Sequence, residues 1–145
     1  MDSLVFLDMQ DRKVDVTAFD GQIVMMAGGA RAATQGSKEW GEALEREYRA
    51  ANDVRLFRLA IIDNLPRFVP RSLVKGQLGK DSPFAPMLVD WDHSANRLLD
   101  PAPNELPHVW VFDRQGHLRL RLIADPSNEK LRTLADQVNR LRKIK

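Results

Sequence analysis

ELPHVWVFDRQGHLRLRLIA, residues 105–124, holds two apolar runs separated by a turn. Val109 to Asp113 and His117 to Ala124 flank Asp113-Arg-Gln-Gly116, a pairing that predicts an antiparallel hairpin. Leu118, Leu120 and Leu122 alternate with His117, Arg119 and Arg121, the period-two pattern of a strand with one wet face. Directly after it, Asp125-Pro126 supplies an N-cap and a first-turn proline. A terminal helix follows, with Leu131, Leu134, Val138 and Leu141 turned to the core.

Upstream of the hairpin, strand and helix candidates alternate. Val14 to Phe19 alternates and stops at the turn signal Asp20-Gly21, and Gln22 to Ala27 is an unbroken apolar run suited to a strand buried on both faces. Ser37 to Ala51 places Trp40, Ala43, Leu44, Tyr48 and Ala51 on one helical stripe. Val54 to Asp63 is the second central strand, so the pair with its intervening helix makes a right-handed βαβ unit. Arg71 to Lys80 reads as a short helix, Ala85 to Asp90 as a strand and Trp91 to Asn104 as loop. Trp40, Trp91, Trp110 and Phe112 are expected in or near the core. The architecture is α/β: a central mixed sheet of a βαβ unit plus an antiparallel ββα unit, flanked by helices, with an N-terminal strand extension. A chain of 145 residues suits one domain, 1–145, which buries about 68% of its unfolded surface.

Hydrophobic residues at 43% and charged ones at 29% exclude a disordered or fibrous chain. With no cysteine, disulfides, thiolate nucleophiles, iron–sulfur clusters and cysteine-containing zinc sites are all excluded. The longest apolar stretch, Ile23 to Ala30, is far short of a membrane span. The first residues lack a basic region and a cleavage site, which reads as cytoplasmic, or as periplasmic if a leader has been removed. Residues 1–112 carry 13 basic and 16 acidic side chains, net −3, and residues 113–145 carry 9 and 4, net +5. Arg114, Arg119, Arg121, Arg140, Arg142, Lys143 and Lys145 make that end basic. No base-stacking aromatics interleave with them, so they read as a solvated strand face and helix C-terminal cations rather than a nucleic-acid surface.

VDVTAFDGQIVMMAGGARAATQGSKEW, residues 14–40, resembles the start of the TlpA and redoxin branch of the thioredoxin superfamily, and the hairpin segment resembles that branch's proline–strand–Asp-x-x-Gly motif. The likeness extends over about residues 13–143. Laying the family's Gly-Lys on Gly21-Gln22 and its Lys-Glu on Lys38-Glu39 needs no gap, which puts its two cysteine positions on Ala33 and Gly36. The resemblance thus implies a thioredoxin-like fold from which the thiols are gone, so thiol–disulfide exchange and cysteine-based peroxide reduction are excluded. MAGGARAATQGSKEW (26–40) and IIDNLPRFVPRSLVK (61–75) are also similar to the cysteine-free YtfJ-like proteins of bacteria. By the same resemblance Pro107 is the family's cis-proline beside the old active site, and the backbone of Leu106 can pair with an extended substrate.

The loop Gly28 to Gly36 enters a helix, so its N–H groups and Arg31 form a potential anion site. It lacks the Gly-Lys-Ser/Thr of a P-loop. The plainer alternative is that Thr34 or Ser37 caps the helix and the small residues permit close packing. Asp90, Asp92 and His93 could ligate a hard metal, but such acidic residues after a strand more often cap turns. Ser37 and His108 could join a hydrolytic triad, yet no G-x-S-x-G elbow is present. No metal and no cofactor is therefore expected. The expected function is a non-redox binding module with a protein or peptide partner at a groove formed by Arg31, Ala33, Thr34, Gly36, Ser37, Leu106 and Pro107. The alternative is a glutathione- or anion-binding transferase-like enzyme using Thr34 or Ser37 at the helix N-terminus. Neither a nucleic-acid nor a membrane partner is expected.

Overall fold

In a computed structural model, residues 3–62, 69–80, 85–92, 99–100 and 105–144 are described. Seven strands form one sheet: β1 (Val5–Asp8), β2 (Lys13–Asp15), β3 (Ile23–Gly29), β4 (Val54–Ile61), β5 (Met87–Asp90), β6 (His108–Phe112) and β7 (Leu118–Ile123). The helices are α1 (Thr34–Tyr48), preceded by a single 3-10 turn at Arg31–Ala33, α2 (Arg71–Lys80) and α3 (Asn128–Arg142). The sheet order is β2-β1-β5-β4-β3-β6-β7, with β3, β4 and β5 parallel and the outer pairs antiparallel. This is the expected α/β plan of a mixed sheet with flanking helices.

Burial follows the strand alternation. Val24, Met26, Phe57, Leu59, Trp110 and Phe112 pack on one face with Leu4, Phe6, Val16 and Leu99. Ile23, Met25, Ala27, Val109 and Val111 face the other way and meet Trp40, Leu44 and Tyr48 of α1 and Leu134 and Val138 of α3. Because β3 is buried along its whole length, its run shows no alternation in sequence. Trp40, Trp110 and Phe112 are core residues as expected, and Trp91 is half-buried. Among the described residues no helix is long and apolar enough to cross a membrane.

Three local expectations change. The N-terminal extension is a hairpin of β1 and β2, and only Val14 and Asp15 of the expected Val14–Phe19 strand fall within β2. The Asp15 carboxylate accepts from the Thr17 N–H at 2.9 Å and its hydroxyl at 2.6 Å, which bends the chain out of the strand. The cap of α3 is Ser127, whose hydroxyl accepts from the Lys130 N–H at 3.1 Å, rather than Asp125. Helix α1 begins three residues before Ser37.

Four of the seven basic side chains singled out at this end, Arg114, Arg119, Arg121 and Arg142, are paired with carboxylates. Asp53 takes a bidentate grip from Arg142, at 2.9 and 3.0 Å, and a third bond from Arg114 at 3.1 Å. Arg114 also donates to the carbonyls of Gly21 and Arg142, both at 2.6 Å, and so ties the β6–β7 turn to the end of α3. Arg119 pairs with Asp113 and Arg121 with Asp100. The Arg142 hydrogen bonds hold the Asp53 carboxyl below its ordinary value, against partial desolvation. A depressed folded pKa means that the clasp stabilises fully above the unfolded value of 3.8 and is lost as pH falls through the folded value. Asp53→Asn should therefore cost about 1–2 kcal/mol at neutral pH in urea unfolding, with the gap to wild type closing below about pH 4.

Candidate functional site

The structure brings most of the sequence-derived site residues together at the end of the sheet where β3 stops and β6 starts. Gly28 pairs with His108, so the next residues along, Gly29 and Pro107, reach the same edge. After Gly29 the chain makes the 3-10 turn, with the Ala33 N–H donating to the Ala30 carbonyl at 2.9 Å, and runs straight into α1. An added Cβ on Gly36 would lie 2.6 Å from Pro107 Cγ and 3.0 Å from Asp125 Oδ1. On Gly29 it would lie 3.0 Å from Ala33 Cβ, 3.6 Å from the Leu106 carbonyl and 3.8 Å from Ser37 Oγ. Ala33, Gly36, Ser37, Leu106 and Pro107 therefore form one constellation, with the two positions implied for cysteines across the first turn of α1 from the proline.

The far side is pinned by the end of β7. The Ala124 N–H donates to the Pro107 carbonyl at 3.2 Å, and the Ala124 carbonyl accepts from Trp40 Nε1 at 2.8 Å. Trp40 lies one turn below Gly36, so one buried indole joins α1 to the strand beneath the proline. Ala33, Gly36, Ser37 and Pro107 are buried, Thr34 and Leu106 half-buried, and Arg31 exposed.

The expected hydroxyl cap is absent. Residue 33 is the N-cap of α1 and, being alanine, offers no side-chain bond. The Thr34 hydroxyl instead donates to the Arg31 carbonyl at 2.8 Å, and Ser37 Oγ is buried without a hydrogen-bond partner. The Asp125 carboxylate, not singled out as a site residue, stands at the first turn of α1, where the helix dipole favours negative charge. Its place follows from the hairpin register: His108 opposite Ile123 carries Pro107 to Ala124 and the next residue to the helix end.

The rival chemistries do not assemble. His108 shares the face of Trp110, on which its ring stacks at 5.2 Å, whereas Ser37 belongs to the helix on the opposite face. The sheet stands between the hydroxyl and the imidazole. Asp90 is buried and Asp92 exposed, and His93 lies outside the described residues. Among the described residues no three histidine or carboxylate side chains cluster as metal ligands do.

No protein-family model and no curated protein matches the sequence. Solved structures do match its shape. One, from Chlorobium tepidum and assigned as a thiol:disulfide interchange protein of the DsbE type, superposes with a TM-score of 0.70 at 15% identity over 97% of this chain and 94% of its own. The exposed lipoprotein thioredoxin of Streptococcus pneumoniae gives 0.68 at 14% over 93% and 99%. A thiol-disulfide oxidoreductase of Bacteroides fragilis gives 0.65 at 14% over 94% and 97%. These identities establish shape and nothing of activity. The chain has a thioredoxin-like fold, and it has that fold without a single cysteine.

Proposed function

We propose that this protein is a non-redox binding module that holds an extended stretch of a partner protein along the edge where the residue 33–37 turn meets Leu106–Pro107. The observation carrying this reading is the closeness of Gly36 to Pro107, which sets the helix start and the proline segment against each other with no reactive side chain between them. Ala33 and Gly36 leave a low, inert floor, and Arg31, Thr34 and Leu106 stand at its rim with exposed or partly exposed groups. The rival reading, glutathione or another anion at the helix N-terminus, is weakened by Asp125, whose carboxylate stands beside the first turn of α1 and repels a second negative charge.

The test uses affinity capture from the native host, read by mass spectrometry. A partner recovered by the wild type should be lost with Arg31→Glu and Leu106→Asp and kept with Arg119→Glu. Calorimetric titration with glutathione and with inorganic phosphate should give no saturable heat. A partner lost only with Arg119→Glu, or saturable glutathione binding abolished by Arg31→Glu, would overturn the proposal.

A further inference from the structure

Helix α2 is held to the β2–β1–β5 flank of the sheet by two side chains. Lys75 Nζ bonds an Asp11 carboxylate oxygen at 2.6 Å, and the Arg71 guanidinium lies 4.7 Å over the Trp91 ring. On this flank Leu7 stands opposite Val89 of β5 and Lys13 of β2, so these three residues and Val5, two positions back, share one face. The other face carries Phe6 and Leu88 into the core. A cavity of about 450 Å³ opens here, with Val5, Leu7 and Val89 in its lining beside Lys13, Arg71 and Trp91. That volume falls within the range of small-molecule sites, about 300–1,000 Å³.

Three donors around this cavity lack acceptors. Of the three indoles, those of Trp40 and Trp110 give their N–H to carbonyls at 2.8 and 3.0 Å, whereas Trp91 Nε1 is buried and has no partner among the described residues. A buried donor left unpaired carries a desolvation cost that an incoming oxygen removes. Among the described residues neither Lys13 nor Arg71 meets a carboxylate, while Lys75, on the same helix as Arg71, is paired with Asp11. Two acidic residues also line the cavity. Asp90 stands opposite Ile61, a residue of the Phe6 and Leu88 core, so strand alternation turns its carboxylate to that other face, and Asp92 is already engaged. The cavity therefore combines an apolar floor with two uncountered positive charges.

We propose that this cavity binds a small amphiphilic carboxylate, its head group held by Arg71 and Lys13 beside the Trp91 N–H and its apolar body laid along Val5, Leu7 and Val89. The site goes beyond the protein-binding edge at Pro107, and neither proposal depends on the other.

The probes are octanoate, octylammonium and acetate, titrated into the ¹⁵N-labelled full chain at neutral pH and low salt. Octanoate should shift the Trp91 indole N–H and the Leu7 and Val89 amides saturably, leave the Trp40 and Trp110 indoles in place, and bind more weakly as ionic strength rises. Octylammonium, with the wrong charge, and acetate, with no apolar body, should each bind at least about tenfold more weakly. Arg71→Gln and Lys13→Gln, both at exposed positions, should each weaken octanoate several-fold with the rest of the amide spectrum unchanged, and Arg71→Glu should turn the preference to octylammonium. No saturable response to octanoate, an equal response to acetate or to octylammonium, or octanoate affinity unchanged in both glutamine variants would overturn the proposal.

Discussion

Replacing Trp40 with alanine is expected to remove about 3–5 kcal/mol of stability, a loss that approaches the whole margin of many domains. The indole is fully buried between α1 and the sheet, among Ile23, Met25, Val109 and Val111 and the α3 residues Leu134 and Val138. Truncation opens a cavity that two helices and the sheet share, and no single element can shift to fill it. It also strands the Ala124 carbonyl, the acceptor at 2.8 Å. Trp40→Phe keeps most of the volume and removes only the N–H, so it should cost markedly less. Urea unfolding of the three proteins measures the difference, and equal midpoints for wild type and Trp40→Ala would contradict the packing described.

Gly28→Ala should cost about 3 kcal/mol, the upper part of the overpacking range. An added methyl would run into the Leu59 carbonyl and its Cβ at 2.7 Å, on the neighbouring strand β4. Backbone cannot rotate away as a long side chain can, so β3 and β4 must part where β3 leads into the turn before α1. Gly76→Ala is the control, since nothing lies within 4 Å of the added carbon there. A thermal melt that shifts equally for both would show that the close strand approach does not matter.

The sequence made legible those elements whose signal is local. The hairpin around Asp113-Arg-Gln-Gly116 and the helix Arg71–Lys80 are set by turn residues and by periodicity, and both are found where expected. Val5–Asp8 escaped because a four-residue strand with one fully buried side chain, Phe6, has too few residues to show a period. Helix α1 starts early because Gly36, a poor helix former, is held helical by its contact with Pro107, a partner about seventy positions away that propensity cannot register. The site was reachable only through the resemblance: Ala33 and Gly36 carry no chemistry, and what marks them is the gapless spacing from Gly21 to Lys38. Asp125 was singled out as a cap because Asp-Pro is a helix-start signature, and Ser127 two residues later competed for the same role and prevailed.

The meeting of Gly36 and Pro107 also bears on how this chain can change through time. At residue 36, where the resemblance puts the second cysteine of a pair, the proline ring stands 2.6 Å from where the first side-chain carbon would be. A single cysteine placed at residue 33 has no resolving partner, and a single substitution at residue 36 first meets a steric penalty at a buried ring. Dithiol chemistry at this pair of positions therefore requires both cysteines and a displacement of the proline segment, and no one of these steps is useful alone. Packing at Pro107 thus acts as a ratchet against dithiol chemistry at these two positions, over and above the absence of cysteine from the sequence.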